Sequence, residues 1–252
     1  MDKIELNKIY NEDCLEGMKR IPDKSVDMIL CDLPYGTTAC KWDTIIPFEP
    51  LWEHYERIVK DNGAIVLTSD EPFTSQLINS NIKRFKYKWI WLKEQGKNFQ
   101  LVKKQPLKIT EDVLVFYKKF PNYNPQGLIK LDKPIVKSNK GKGGNLSHLS
   151  SEKKRKTYIQ EYTNYPKNIL RFNADRGLHP TQKPVDLFEY LIRTYTNEGE
   201  TVLDNCMGSG TTAIACLNTN RNFIGFEMDK GYFDMATKRI EEHEQQLKIK
   251  VD

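Results

Sequence analysis

The stretch VLDNCMGSGTTAIAC, residues 202–216, reads as a short buried strand, a glycine turn and a helix. Gly208-Ser209-Gly210-Thr211-Thr212-Ala213 fits the G-x-G-x-x-G/A form, in which glycines let the backbone turn tightly and approach a ligand at a helix N-terminus. It is not a phosphate-binding P-loop, because Thr211 stands where that motif requires lysine. Asp204 closes the strand before the turn. Glu227 closes the next apolar run, Phe223-Ile224-Gly225-Phe226, 23 residues later, where an acid can hold the hydroxyls of a ribose.

A carboxylate at Asp204, beside the ligand, repels phosphate and favours a cation. A nucleoside that carries positive charge, S-adenosylmethionine, fits this pattern better than a pyrophosphate cofactor. A nicotinamide cofactor and a glycine turn with no ligand are the competing readings.

Outward from the turn, strands and helices alternate. Lys8-Ile9-Tyr10 is a short strand, and Cys14 to Ile21 carries Leu15, Met18 and Ile21 at helical spacing. Val26 to Leu30 is a strand closing at Asp32. Pro47 to Lys60 is a helix, Ala64 to Thr68 a strand, and Pro72 to Asn79 a helix. Tyr87 to Leu92 and Asp112 to Tyr117 are strands that can pair antiparallel as neighbours. Val185 to Tyr195 and Tyr232 to Gln246 are helices. This order predicts an α/β fold with a doubly wound, mostly parallel sheet.

The nucleoside turn stands near the end of the chain, yet such a sheet needs further strands beside it. Placing the C-terminal half ahead of the N-terminal half supplies them. Strands ending at Asp204, Glu227, Asp13 and Asp32 then share one carboxyl edge, where ligands bind in these folds. Asp13, with Cys14 beside it, is then placed to accept from the adenine amino group of the cofactor, and Asp32 faces the substrate.

The chain has 252 residues, 38% apolar and 29% charged, with a net charge of +5, which suits one sizeable α/β domain plus an insertion. Five cysteines without C-x-x-C spacing read as reduced thiols of a cytoplasmic protein, with no metal site. No apolar run approaches membrane-spanning length, and residues 1–5 lack the apolar core of a secretory signal. The charge is uneven. Residues 83–108 hold nine Lys/Arg against one acid, and residues 118–172 hold thirteen against three. A middle so basic is suited to a polyanion. Between Phe120 and about Phe172 the hydrophobic period is lost, so that region is read as an insertion.

Asp32-Leu33-Pro34-Tyr35 resembles the D/N/S-P-P-Y tetrapeptide of the S-adenosylmethionine-dependent DNA amino methyltransferases. His179-Pro180-Thr181-Gln182-Lys183-Pro184 is similar to the segment preceding their cofactor strand, and Asp204 to Thr212 to their D-P-F-x-G-S-G-T-T turn. The motif order is that of the permuted β group. The resemblance implies a Rossmann-like methyltransferase fold split into residues 1–119, a basic target-recognition insertion at 120–175, and a cofactor half at 176–252. It implies catalysis by Asp32, Leu33, Pro34 and Tyr35, with Asp13, Cys14, Lys183, Asp204, Gly208, Ser209, Gly210, Thr211, Thr212 and Glu227 around the cofactor.

In this reading Asp32 and the Leu33 carbonyl hold the two hydrogens of an exocyclic amine, while Tyr35 stacks on a base flipped out of double-stranded DNA. Asp at the first position leans towards adenine N6, with cytosine N4 as the alternative and a non-catalytic DNA binder as the competing class. Leu33 departs from the usual proline, and Asn205-Cys206 from the usual Pro-Phe. Lys183 is expected near the methionine carboxylate of the cofactor, and Trp42-Asp43 in a loop that closes over the substrate. A homodimer and a separate restriction endonuclease are the partners this class leaves room for, since no nuclease or helicase motif is present.

Overall fold

The computed structural model describes residues 3–38, 40, 43–138, 157–173 and 182–249. In chain order its elements are β1 (Lys8–Tyr10), α1 (Cys14–Met18), β2 (Val26–Asp32), α2 (Phe48–Ile58), β3 (Val59–Ser69), α3 (Phe73–Ser80), β4 (Phe85–Lys97) and β5 (Lys108–Phe116). There follow β6 (Ile129–Ser138), β7 (Thr157–Thr163), β8 (Ile169–Arg171), α4 (Val185–Tyr195), β9 (Thr201–Asp204), α5 (Thr211–Asn218), β10 (Asn222–Phe226) and α6 (Lys230–Ile249). The chain divides into two compact units, residues 1–124 with 168–252, and residues 125–167.

In the larger unit, the described strands form one sheet in the order β1-β10-β9-β2-β3-β5-β4-β8. The pairs from β1 through β3 are all parallel, whereas β5 is antiparallel to both β3 and β4. The sheet is buried on both faces, so β2 is apolar almost throughout rather than alternating with polar residues. Met28 and Leu30 pack on one side with Leu187, Phe188, Leu191 and Ala213 of α4 and α5. Ile29 and Cys31 pack on the other with Met18, Leu51, Trp52 and Tyr55 of α1 and α2. Helices cover both faces, as the alternation of elements predicts.

β9 leads through α5 to β10 on one side, while β2 leads through α2 to β3 on the other. The winding direction therefore reverses between β9 and β2, and the crevice at their carboxyl ends is where doubly wound sheets bind ligands. Asp204 and Asp32 stand on these two neighbouring strands. Leu203 is level with Ile29, so Asp32 lies two residues further towards the rim than Asp204.

Trp89 and Trp91 are core residues. Their indole N–H groups donate to Tyr195 Oη at 2.7 Å and to the Phe172 carbonyl at 2.8 Å, satisfying the polar end of each ring.

The smaller unit, residues 125–167, contains β6 paired antiparallel with β7. Its sequence shows no period because β6 is interrupted. The pairing register shifts between Lys130 and Ile135, and Pro134, which has no N–H for a ladder, sits in that bulge. β8 belongs to the large sheet beside β4, although it comes from the stretch read as insertion. Three residues are too few to display a period. Among the described residues, no helix is long and apolar enough to cross a membrane.

Candidate active site

The glycine turn is built from β9 outward. Asp204 is buried, and its Oδ1 accepts from the Cys206 N–H at 3.0 Å while the Thr212 hydroxyl donates to its Oδ2. Burial pushes the Asp204 carboxyl up to about 6, against these hydrogen bonds, and the nearby Asp32 charge pushes the same way. Gly208 and Gly210 take φ values of +53° and +83°, which favour glycine. Gly210 caps α5, and a Cβ there would stand 3.3 Å from the Ala236 Cβ of α6. Ser209 and Thr211 are buried, and the Thr211 hydroxyl donates to the Lys183 carbonyl at 3.4 Å.

Glu227 follows β10. Its two oxygens accept from the Gly208 N–H and the Asp229 N–H, each at 2.8 Å, so it clamps the turn to the end of the neighbouring strand. Burial raises its carboxyl above the ordinary value, against those N–H groups. Asp13 is exposed and caps α1, accepting from the Leu15 N–H at 2.7 Å through Oδ1. Cys14 begins that helix. The Asn205 amide donates to the sulfurs of Cys14 and Cys206 at 3.6 and 3.5 Å and accepts from Tyr55 Oη. Asn205, one of the departures in the turn, therefore ties it to α1 and α2.

Asp32 stands at the end of β2 with its side chain 29% exposed. Three side chains converge on it: the Lys183 ammonium at 2.8 Å, Tyr35 Oη at 2.9 Å and the hydroxyl of Thr68 on β3. Lys183 also pairs with Glu111 of β5 at 2.7 Å, and Glu111 with Lys93 of β4. Two carboxylates and two ammoniums thus form a balanced chain, three of its four members buried. Burial works to strip the proton from Lys183, but the charges of Asp32 and Glu111 outweigh it and raise its affinity for the proton. Burial likewise works to protonate Glu111, and Lys183 and Lys93 outweigh it, holding the carboxyl below its ordinary range. Burial, with the charges of Asp32 and Glu111, keeps the Tyr35 phenol protonated and a donor.

Leu33 is buried, and the Tyr35 ring is stacked on Phe73 with centroids 5.2 Å apart. Pro34 is half-buried between them. The Lys183 ammonium also lies 5.5 Å from the centre of the Tyr35 ring. Asp43 does not stand open over this site. It is buried and accepts from the N–H groups of Gly36, Thr37 and Thr38 at 2.7–2.9 Å, pinning the loop that follows the tetrapeptide. Trp42 and His179-Pro180-Thr181 lie outside the described residues.

Sequence reasoning missed Thr68, Lys93 and Glu111. The signal for the latter two was present. Trp89, Trp91 and Lys93 alternate along one strand, as do Glu111, Val113 and Val115 along the next, so both charges extend a buried face. Lys183 is found on Asp32 and Glu111, which joins the segment before the cofactor strand to the tetrapeptide.

These observations agree with the comparisons. The model of the N6/N4 methyltransferase family, described as a DNA methylase, matches residues 26–238, and the chain belongs to this family. It is 29% identical over 255 residues to the DNA adenine methyltransferase YhdJ of Escherichia coli, covering 94% of this chain and 83% of that protein. It is 27% identical over 250 residues to the type II methyltransferase M.HpaI of Haemophilus parainfluenzae, covering 93% and 74%. Among solved structures, the M1.HpyAVI–SAM complex superposes with a TM-score of 0.61 at 27% identity, over 92% of this chain and 98% of the other. The cytosine-N4-specific PvuII DNA methyltransferase shares the fold, with a TM-score of 0.66 at 15% identity over 93% and 86%.

Proposed function

We propose that this DNA methylase transfers a methyl group from S-adenosylmethionine to the N6 amine of an adenine flipped out of duplex DNA. The observation that carries the reading is the shared rim: Asp204 with its glycine turn, and Asp32 with Tyr35, at the carboxyl ends of adjacent parallel strands. The residues suit the cofactor. A buried carboxylate at Asp204 favours a cation over a phosphate, and Glu227 stands where ribose hydroxyls are held. Gln182 Oε1 is buried with no hydrogen-bond partner among the described residues, an acceptor suited to an ammonium. S-adenosylmethionine supplies an electrophilic methyl group. Asp13, Ser209, Thr211 and Thr212 complete its cradle.

Asp32 and the Leu33 carbonyl accept the two amine hydrogens and draw the nitrogen towards tetrahedral geometry, which frees its lone pair. Catalysis then rests on positioning and hydrogen bonding rather than on a covalent enzyme intermediate. Tyr35 covers the extruded base and Pro34 stiffens the turn. Adenine is favoured over cytosine by the aspartate that opens the tetrapeptide and by the likeness to YhdJ. The basic unit at 125–167 is assigned to target recognition, with its lysines on phosphates. The permuted β-group order, a homodimer and a separate restriction endonuclease belong to the same reading. Sequencing the modified bases in DNA from cells expressing the protein tests it. N6-methyladenine at a fixed site is expected, N4-methylcytosine would move the assignment to the alternative, and no modification in any DNA would overturn it.

Glu227→Ala is expected to raise the Kd for S-adenosylmethionine about 10- to 100-fold, since it removes the ribose acceptor and frees the Gly208 N–H. The rate at saturating cofactor should stay within a few-fold, and calorimetric titration beside steady-state kinetics separates the two.

Asp204 makes cofactor affinity dependent on pH. Its carboxyl titrates near 6 in the folded protein, above the ordinary 3.8, so its share of stability is full at low pH and is lost as pH rises through about 6. A bound cation reverses this preference by favouring the carboxylate. Affinity should therefore weaken below pH 6, by up to about tenfold per pH unit. A constant Kd between pH 5 and 7.5 would show that Asp204 does not meet the cation.

A further inference from the structure

β4 and β5 run on beyond the level of Asp32. Asp32 pairs with Thr68, Thr68 with Val113, and Val113 with Trp89, so these four residues share one level across the sheet. From Val113 back to Lys108, where the hairpin last pairs, is five residues, a reach of about 17 Å past the catalytic carboxylate. The strands close tightly there. A Cβ on Gly96 would stand 2.8 Å from the Leu107 Cβ.

The tip is ordered by its own backbone. Asn98 adopts φ +66°, and its carbonyl accepts from the Leu101 N–H at 2.9 Å, forming a short 3-10 turn over Phe99–Leu101. Lys104 and Gln105 donate to the Leu101 carbonyl at 2.8 and 3.0 Å. This turn holds Phe99 out into solvent, 74% exposed, with Leu101, Val102 and Leu107 exposed behind it. Between Glu94 and Glu111 the chain has four lysines and no acid. Lys108, at the base of the tip, pairs with Asp70, which leaves the lysines nearer Phe99 for a partner. An apolar ring carried on a basic tip that projects from the same rim as Asp32 matches the surface of a nucleic acid duplex better than that of a protein.

We propose that Phe99 enters the duplex and fills the gap left when the target base is extruded towards Asp32. Apolar side chains that wedge between base steps stabilise unstacked DNA, and an aromatic ring replaces the lost stacking on the neighbouring pairs. The basic tip supplies phosphate contacts that hold the ring in register. Tyr35 and Phe99 then have complementary tasks, one covering the base outside the helix and one closing the helix behind it. This inference rests on the methyltransferase reading above and adds a positioning residue to it.

The test uses the full chain with S-adenosylmethionine and duplexes that carry the site found by sequencing. One duplex is fully paired, and another has an abasic position opposite the target, so that extrusion costs little. Phe99→Ala should lower kcat/KM at least tenfold on the paired duplex and reduce the fluorescence rise of 2-aminopurine placed at the target. On the abasic duplex its activity should return to within about twofold of wild type. Ile82 is also exposed but precedes β4, at the opposite end of that strand from Phe99, so Ile82→Ala should change neither substrate. Equal loss on both duplexes, no loss on either, or a fall from dimer to monomer on sedimentation would overturn the assignment. Wild-type protein that methylates no DNA would instead refute the underlying function.

Discussion

Replacing Asp32 with alanine is expected to lower methyl transfer by about 10³-fold or more while leaving the Kd for S-adenosylmethionine within a few-fold of wild type. The exocyclic amine of adenine is a poor nucleophile because its lone pair is delocalised into the ring. Only acceptors placed on its hydrogens draw that pair back, and removing one such preorganised partner costs about 10²–10³ in rate. The larger figure applies here because Asp32 also organises its neighbours. Tyr35 donates to it at 2.9 Å, and Thr68 and Lys183 point at the same carboxylate. The substitution should not unfold the protein. Asp32 is 29% exposed, and Lys183 keeps Glu111 as its counter-ion at 2.7 Å. The residues proposed to hold the cofactor, on β9 and β10 and in the turn between them, do not pass through residue 32. Single-turnover rates beside calorimetric titration distinguish the outcomes. Equal loss of transfer and cofactor binding would place Asp32 in the cofactor site instead.

The two turns of the candidate site were legible because they are local. Gly208-x-Gly210 and Asp32 to Tyr35 each announce themselves within a few residues, at the ends of apolar runs long enough to be strands. The sheet was legible for a similar reason, since each core strand and helix displays its own period. What escaped was of two kinds. β6 hides its pairing behind a bulge and a proline, and β8 is too short for a pattern. The other kind is long-range pairing. Lys183 lies 151 residues from Asp32 along the chain, and nothing in the segment around it names its partners. The resemblance pointed Lys183 at the cofactor, whereas the fold pairs its ammonium with the Asp32 carboxylate. Lys93 and Glu111 were visible only as charges continuing a buried alternation. Such a pattern signals that each has a partner without saying which.

That network makes Lys183 the position with the largest expected effect on stability. Lys183→Met removes one of two ammoniums and leaves Asp32 and Glu111 with Lys93 alone. Breaking a buried pair from one side typically costs about 3–5 kcal/mol, because a charge stays behind without compensation. The pH dependence follows from the direction of each shift. Glu111 is held below its ordinary range, so its contribution is present above the ordinary carboxylate value and lost as pH falls through the depressed one. Lys183 is held above its ordinary value, so its contribution is full below that value and lost as pH rises through the raised one. Wild type therefore keeps the whole benefit across the neutral range. The variant should be most impaired there and should recover relative to wild type on acidification, as the buried Glu111, with Lys183 gone, takes up a proton.

The same proton uptake should move the acidic limb of the pH–rate profile upward, with kcat reduced about 10²-fold at pH 7. A purely structural lysine would not shift that limb. The triple variant Lys183→Met/Glu111→Leu/Lys93→Met separates the two roles, because apolar replacement of a whole buried ionic group is often neutral or stabilising, and all three buried members are replaced together. Its urea midpoint should return towards wild type while its activity stays low, since Asp32 still lacks the ammonium that orients it. Recovery of activity together with stability would mean that Lys183 only supports the fold.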